Sequence, residues 1–374
     1  MKIGVLKETK EYERRVALTP DVVKQLLKKE NTVLIEKGAG ESSYFSDQDY
    51  VDAGASVVST DEVYAVDILL KVNAFTPAEI QKMTPGSACI SYLYAYNQPE
   101  IVDALISKKI TSFSMDAVPR ISRAQKMDAL SSQANLAGYK SVILASNHLG
   151  KIFPLMMTAS GTITPARVLI FGAGVAGLQA IATAKRLGAI VEVSDVRPET
   201  KEQVESLGGR FLTVEGAETV KVEGGYASEV SAEFLQKQKQ LIQDKIKEAD
   251  IVITTALVVG KKSPILVTEE MVKSMKMGSV ILDMAVETGG NCEISEINKT
   301  VVKHGVTIIG ESNLPSLLPT NASQLYATNI STLLLHLCPA GFLKLDHEEE
   351  ITKGVLITHE GELVHAFTKT ILSK

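Results

Sequence analysis

Short apolar runs alternate with amphipathic stretches along most of the chain. Lys2–Leu6 (KIGVL), Thr32–Glu36 (TVLIE), Asp67–Val72 (DILLKV), Ala88–Leu93 (ACISYL) and Ile110–Ser114 (ITSFS) are the continuous apolar runs of buried strands. Between them, residues 19–29 place Val22, Val23, Leu26 and Leu27 on one helical face, with Thr19 as N-cap and Pro20 at the first helical position. Residues 61–65 (DEVYA), 77–83 (PAEIQKM) and 99–109 (PEIVDALISKK) read as further helices. Strand and helix in alternation predict parallel strands joined by crossover helices.

Residues 132–148 form a long helix leaving this unit, and a second series begins at Val168. There RVLIF, IVEVSD, IVITTAL, GSVILDMA and GVTIIG are strands, and VAGLQAIATAKRLG and residues 231–250 are helices. An apolar helix from about Ala322 to Leu337 returns the chain to the first unit, and residues 354–367 (GVLITHEGELVHAF) alternate around a Glu-Gly turn as a hairpin. The pattern predicts an α/β protein of two doubly wound, Rossmann-like domains. The first is discontinuous, 1–135 plus 322–374, and the second, 136–321, is inserted into it, with a ligand cleft expected between them. Thr213–Glu229 lacks periodicity and carries Gly216, Gly224 and Gly225, the character of a functional lid.

Composition narrows the function. Hydrophobic residues are 45% and charged residues 22%, which suits a globular chain, and the net charge of -5 gives no reason to expect nucleic acid as a partner. Cys89, Cys292 and Cys338 lie far apart with no metal-ligand spacing, as buried reduced thiols do. The chain opens without the apolar core of a signal peptide. Val168–Ala184 is uncharged, but glycines at turn spacing make it a strand followed by a helix, so no transmembrane helix is expected.

Gly172, Gly174 and Gly177 form G-x-G-x-x-G between a predicted strand and a predicted helix. Gly172 permits the tight turn, Gly174 lets a pyrophosphate approach the backbone, and Gly177 allows close packing. The helix start, with Val175 and Ala176, offers unpaired N–H groups and a positive dipole end. Asp195 follows the next strand, where a carboxylate accepts the ribose hydroxyls of NAD and repels the 2′-phosphate of NADP. Arg197 leaves two readings open: it holds a 2′-phosphate, or it pairs with Asp195 or Glu199. NAD is the expected cofactor. Val175, Val196, Ala256 and Leu257 are expected to line the adenosine pocket.

Several further motifs complete a resemblance over essentially the whole chain. RRVALTP, SQANLAGYKSV, GAGVAGLQAIATAKRLGA, VITTALVVGKKSP, GGNCE and SNLPS together resemble the alanine dehydrogenase/pyridine nucleotide transhydrogenase family. The two branches differ in chemistry, because oxidative deamination needs a carboxylate anchor and a general base. The dehydrogenase pattern supplies an Arg, a Lys and a His. Here Arg15 remains, Asn73 stands at the Lys position and Tyr94 at the His position, while Glu287 replaces a shorter Asp and Asn313 is kept. In the transhydrogenase branch, RISRAQKMD is the loop at the nicotinamide. The resemblance gives Arg120 and Asp128 the carboxamide and ribose region, and gives Gln125 the alignment of two nicotinamide rings, making these three the catalytic, positioning residues. It also makes GGYA the end of a mobile lid, with Gly225 and Tyr226 closing over the nucleotide.

The resemblance therefore implies a chain that binds NAD(H) and exchanges hydride with NADP(H) held on a partner subunit. The implied partners are an NADP(H)-binding domain, a membrane-spanning domain that passes protons, and a second copy of this chain in a homodimer. The implied place is the cytoplasmic face of the membrane. Hydride transfer between rings needs no acid, base, nucleophile or metal, and the six scattered histidines fit that chemistry. The alternative is a stand-alone, NAD-dependent alanine dehydrogenase.

Overall fold

The computed structural model describes residues 1–213, 221–223, 226–229, 232–258 and 260–373. The chain divides into two compact units, Met1–Gln133 with Pro315–Lys374, and Ala134–Leu314. The helix Ala129–His148 runs from one into the other.

The first unit carries an eight-stranded sheet in the order Glu362–Leu363, Leu356–His359, Thr111–Ser114, Ala88–Ser91, Ile68–Leu70, Lys2–Val5, Thr32–Glu36, Ser56–Val58. The six strands from the first third of the chain are parallel, and the C-terminal hairpin adds two antiparallel ones. Central strands such as Ile68–Leu70 and Ala88–Ser91 are buried throughout, as expected of strands covered on both faces. The helix Pro319–Leu337 lays Ala322, Tyr326, Ile330, Leu333 and Leu337 into the core on one side.

The second unit has a seven-stranded sheet, Arg210–Phe211, Ile190–Ser194, Arg167–Phe171, Ile251–Thr254, Val280–Asp283, Val306–Ile309, Thr300–Lys303. All pairs are parallel except the last. Two small hairpins stand apart from it, Met156–Thr158 with Gly161–Ile163, and Lys221–Glu223 with Tyr226–Glu229.

Several local expectations change. Residues 61–65 hold a 3-10 turn, Glu62–Tyr64, rather than an α-helix. Thr19 caps its helix without a side-chain hydrogen bond. The C-terminal hairpin ends earlier than the alternation suggests, because a helix starts at Ala366. Part of the stretch 213–229 is paired as strands. Among the described residues, no helix is long and apolar enough to cross a membrane, and no cluster of His, Cys, Asp and Glu could hold a metal.

Candidate nucleotide-binding site

Strand order in the second sheet reverses between Arg167–Phe171 and Ile251–Thr254. Their carboxyl ends flank a topological switch point, where open α/β sheets receive ligands. Gly172 turns the chain there with φ +99°. Across the crevice, Thr255 donates its N–H and its hydroxyl to the Phe171 carbonyl, each at 2.9 Å. A Cβ at position 172 would strike that hydroxyl, and one at 177 would strike the Gly172 carbonyl. Gly174 differs: nothing lies within 4 Å of the place its Cβ would take. It is the N-cap of helix Val175–Arg186 and gives the helix no side-chain cap. Open space above a glycine, beside the uncapped N–H groups of a helix start, is the cradle a pyrophosphate requires. The residues present fit a dinucleotide.

Asp195 follows strand Ile190–Ser194, and its carboxylate turns back onto the fingerprint. It accepts from the Ala173 N–H at 2.6 Å and the Arg197 N–H at 2.8 Å. The Arg197 guanidinium adds Nε at 3.0 Å and a terminal nitrogen at 2.9 Å. Pairing of Arg197 with Asp195 is thus the one of its open readings that this structure holds. Val175 and Leu257 are exposed at the crevice edge, and Ala176, Val196 and Ala256 are half-buried. Gly224 and Gly225 lie outside the described residues, and Tyr226 is described only as part of its strand.

Two supports of this crevice escape a reading of the sequence. Asp283, fully buried at the end of its strand, accepts from Thr254 Oγ1, the N–H groups of Ala285, Asn291 and Cys292, and Ser295 Oγ, at 2.7–3.1 Å. Asn291, fixed by it, exchanges hydrogen bonds with the backbone of Ala256 at 2.9 and 3.0 Å and so sets the segment expected against the adenosine. The signal was an acid closing the apolar run GSVILD. The second is Gly138, where the long helix crosses the start of the nucleotide helix at Ala176.

In the first unit, Arg120 and Gln125 are exposed, and Gln125 sits on the 3-10 turn Ser122–Met127. Asp128 accepts from Ser131 N–H at 2.9 Å and Ser131 Oγ at 2.6 Å, so it holds the first turn of the long helix. The turn is pinned on both sides of Gln125. Arg123 pairs with Glu349 at 3.1 Å, and Asn329 Nδ2 donates to the Lys126 carbonyl at 2.8 Å while its Oδ1 accepts from Ser132.

This unit has its own switch point, between Lys2–Val5 and Ile68–Leu70, and the chain's side chains fill it. Glu8 accepts from the N–H groups of Val72 and Asn73. Asn73 Nδ2 bridges Glu8 at 3.0 Å and Glu13 at 2.9 Å. Glu13 is gripped by Arg15 through Nε at 2.8 Å and a terminal nitrogen at 2.7 Å, and Arg15 also donates to Gln133 at 3.0 Å. Burial, with Glu13 adding to it against the pull of Lys71, pushes the Glu8 carboxyl up to about 7. Burial also opposes ionisation of Glu13, but the Arg15 guanidinium outweighs it and holds that carboxyl at about 2. Lys71 is spent on Glu79 at 2.7 Å. Tyr94, in the left-handed region at φ 44°, stacks on Tyr92 with ring centroids 5.7 Å apart.

Comparison with known proteins matches the same two regions. The profile of the alanine dehydrogenase/PNT N-terminal domain covers residues 4–137, and that of the C-terminal domain covers 141–366. The chain is 47% identical over 376 residues to an NAD(P) transhydrogenase subunit alpha of Rhodospirillum rubrum, covering 98% of each chain. It is 32% identical over 343 residues to alanine dehydrogenase 2 of Staphylococcus aureus, covering 89% of this chain and 86% of that one. The crystal structure of a transhydrogenase from Sinorhizobium meliloti superposes with a TM-score of 0.87 at 40% identity, over 98% of this chain and all of the other.

Proposed function

Because this chain belongs to the alanine dehydrogenase/pyridine nucleotide transhydrogenase family, we propose that it is the NAD(H)-binding subunit of a proton-translocating NAD(P) transhydrogenase. One observation carries the choice between the family's two chemistries. At the first unit's switch point, the positions that would handle an amino acid hold neutral groups engaged elsewhere: Asn73 bridges two carboxylates of the chain, and Tyr94 is stacked on Tyr92. The identity of 47% to a transhydrogenase subunit, against 32% to an alanine dehydrogenase, points the same way.

The nicotinamide supplies the hydride. What remains for the protein is to orient one ring beside another and keep water out, and near-contact alignment is worth several orders of magnitude in rate. Gly172, Gly174, Val175, Ala176 and Gly177 take the pyrophosphate at the helix start. Asp195 takes the adenosine ribose, with Val196, Ala256 and Leu257 around it. Arg120 and Asp128 orient the nicotinamide end, and Gln125, exposed on a turn clamped by Glu349 and Asn329, aligns the second ring. Gly225 and Tyr226 close over the bound nucleotide. No side chain is asked to move a proton.

The NADP(H) site and the proton path belong to partner subunits in this reading, and the chain sits peripherally on the cytoplasmic face of the membrane. A homodimer is part of it. The hairpin Met156–Ile163 is exposed at every strand residue, with Met157 77% exposed, and a lone two-stranded hairpin with apolar side chains in water is marginal without a surface to cover it. The test is reconstitution. The pure chain is mixed with the NADP(H)-binding component of the Rhodospirillum rubrum enzyme, and transfer from NADH to an NADP analogue is followed. Transfer that needs both components supports the reading, and NADH formation from NAD and L-alanine by the chain alone refutes it.

A further inference from the structure

We infer that Arg197 is the element that sets the choice between NAD and NADP, held out of use by Asp195. This inference rests on the reading of Asp195 as the ribose acceptor and adds a specificity device to it. An ionised carboxylate has about four acceptor positions. In Asp195 they are met by four donors of this chain, the N–H groups of Ala173 and Arg197 and two nitrogens of the Arg197 guanidinium. The Asp195 side chain is only 4% exposed, whereas that of Arg197 is 23% exposed. A ribose therefore has no vacant lone pair to use unless a donor yields. The two backbone N–H groups are fixed by the turn and the strand end, so the guanidinium is the part that swings away.

Two consequences follow from that exchange. Arg197 competes with the ribose of NAD for Asp195 in the ligand-free chain. Once displaced, the cation stands at the rim beside the 2′ position, where an arginine accommodates the 2′-phosphate of NADP. Asp195 opposes that phosphate by charge and draws the guanidinium back by its bidentate geometry. Selectivity for NAD is then a balance between two neighbouring residues, and the arginine that would serve NADP is already present.

Fragments that report only the adenosine end test this: 5′-AMP and adenosine 2′,5′-bisphosphate, titrated by calorimetry with the full chain. For Asp195→Asn, the affinity ratio of the bisphosphate over 5′-AMP is expected to rise at least tenfold above that of the unaltered chain. Adding Arg197→Ala to that variant is expected to return the ratio to within about threefold of the starting value. Asp195→Ser, read in the same way, guards against a folding fault specific to Asn. A ratio unchanged in both Asp195 variants overturns the inference, as does a rise that survives loss of Arg197. If the unaltered chain binds neither NADH nor 5′-AMP, it is the proposed function that fails.

Discussion

The carbonyl of Ala176 lies where a side chain at Gly138 would begin. The long helix and the nucleotide helix thus meet backbone to backbone, and the first turn that faces the phosphates is set by that contact. Alanine at 138 gains about 1 kcal/mol of helix propensity, but overpacking costs about 1–3 kcal/mol. The steric cost wins, because the obstacle is backbone. Gly138→Ala is expected to lower thermal stability and to weaken NADH binding several-fold. Isothermal titration with a melting curve checks both.

Asp283 organises the loop beyond the next strand as Gly138 organises the helix start. Replacing it leaves two side-chain hydroxyls and three N–H groups to find other partners in a buried place. Each unmet group costs about 1–3 kcal/mol. Asp283→Ala is expected to lose about 3 kcal/mol or more in urea unfolding, with the midpoint shifting and a weaker grip on adenosine through Asn291.

The polar network at the first unit's switch point gives a pH signature. Glu8 has a folded pKa of about 7 against an ordinary value of 4.5. The native chain holds that proton more tightly than the unfolded one, so the contribution is full below about pH 4.5 and is lost as pH rises through 7. Glu13, held at about 2, acts oppositely and at lower pH, its contribution lost as pH falls from about 4.5 through 2. Glu8→Gln is expected to gain in melting temperature relative to the unaltered chain as pH rises from about 5 to 8. Parallel curves across that range would contradict the assignment.

Gln125 stands on a turn whose two flanks are fixed by Glu349 and Asn329, so its reach is set by its own length. Shortening it by one methylene in Gln125→Asn is expected to slow transfer to the partner's nucleotide on the order of tenfold. NADH affinity, measured by fluorescence on the chain alone, should stay within about twofold of its starting value, since the fingerprint dominates it.

Much of the fold is written in local pattern. The strands of both sheets appear as continuous apolar runs because they are buried on both faces. The edge strands Ser56–Val58 and Thr300–Lys303 escape notice because they are half-exposed and lack that signature. So does the hairpin Met156–Ile163, which borrows nothing from the core. The glycine turn was legible since its information is the absence of a Cβ. The partners that support it were not. Asn73 meets Glu8 and Glu13 across more than fifty residues, and Asn329 holds the Lys126 carbonyl across two hundred. No periodicity encodes a hydrogen bond between segments so far apart, and the residue types alone are as common at exposed turns.

The central claim is that the chain presents one nicotinamide directly to another, with no acid, base or internal substrate between them. The most direct measurement uses NADH carrying deuterium at both C4 positions, mixed with this chain, the NADP(H)-binding component and NADP in ordinary water. Mass spectrometry of the NADPH formed should find one deuterium per molecule. NADPH without deuterium, the label having passed to solvent or to a carbon acid, would contradict the account.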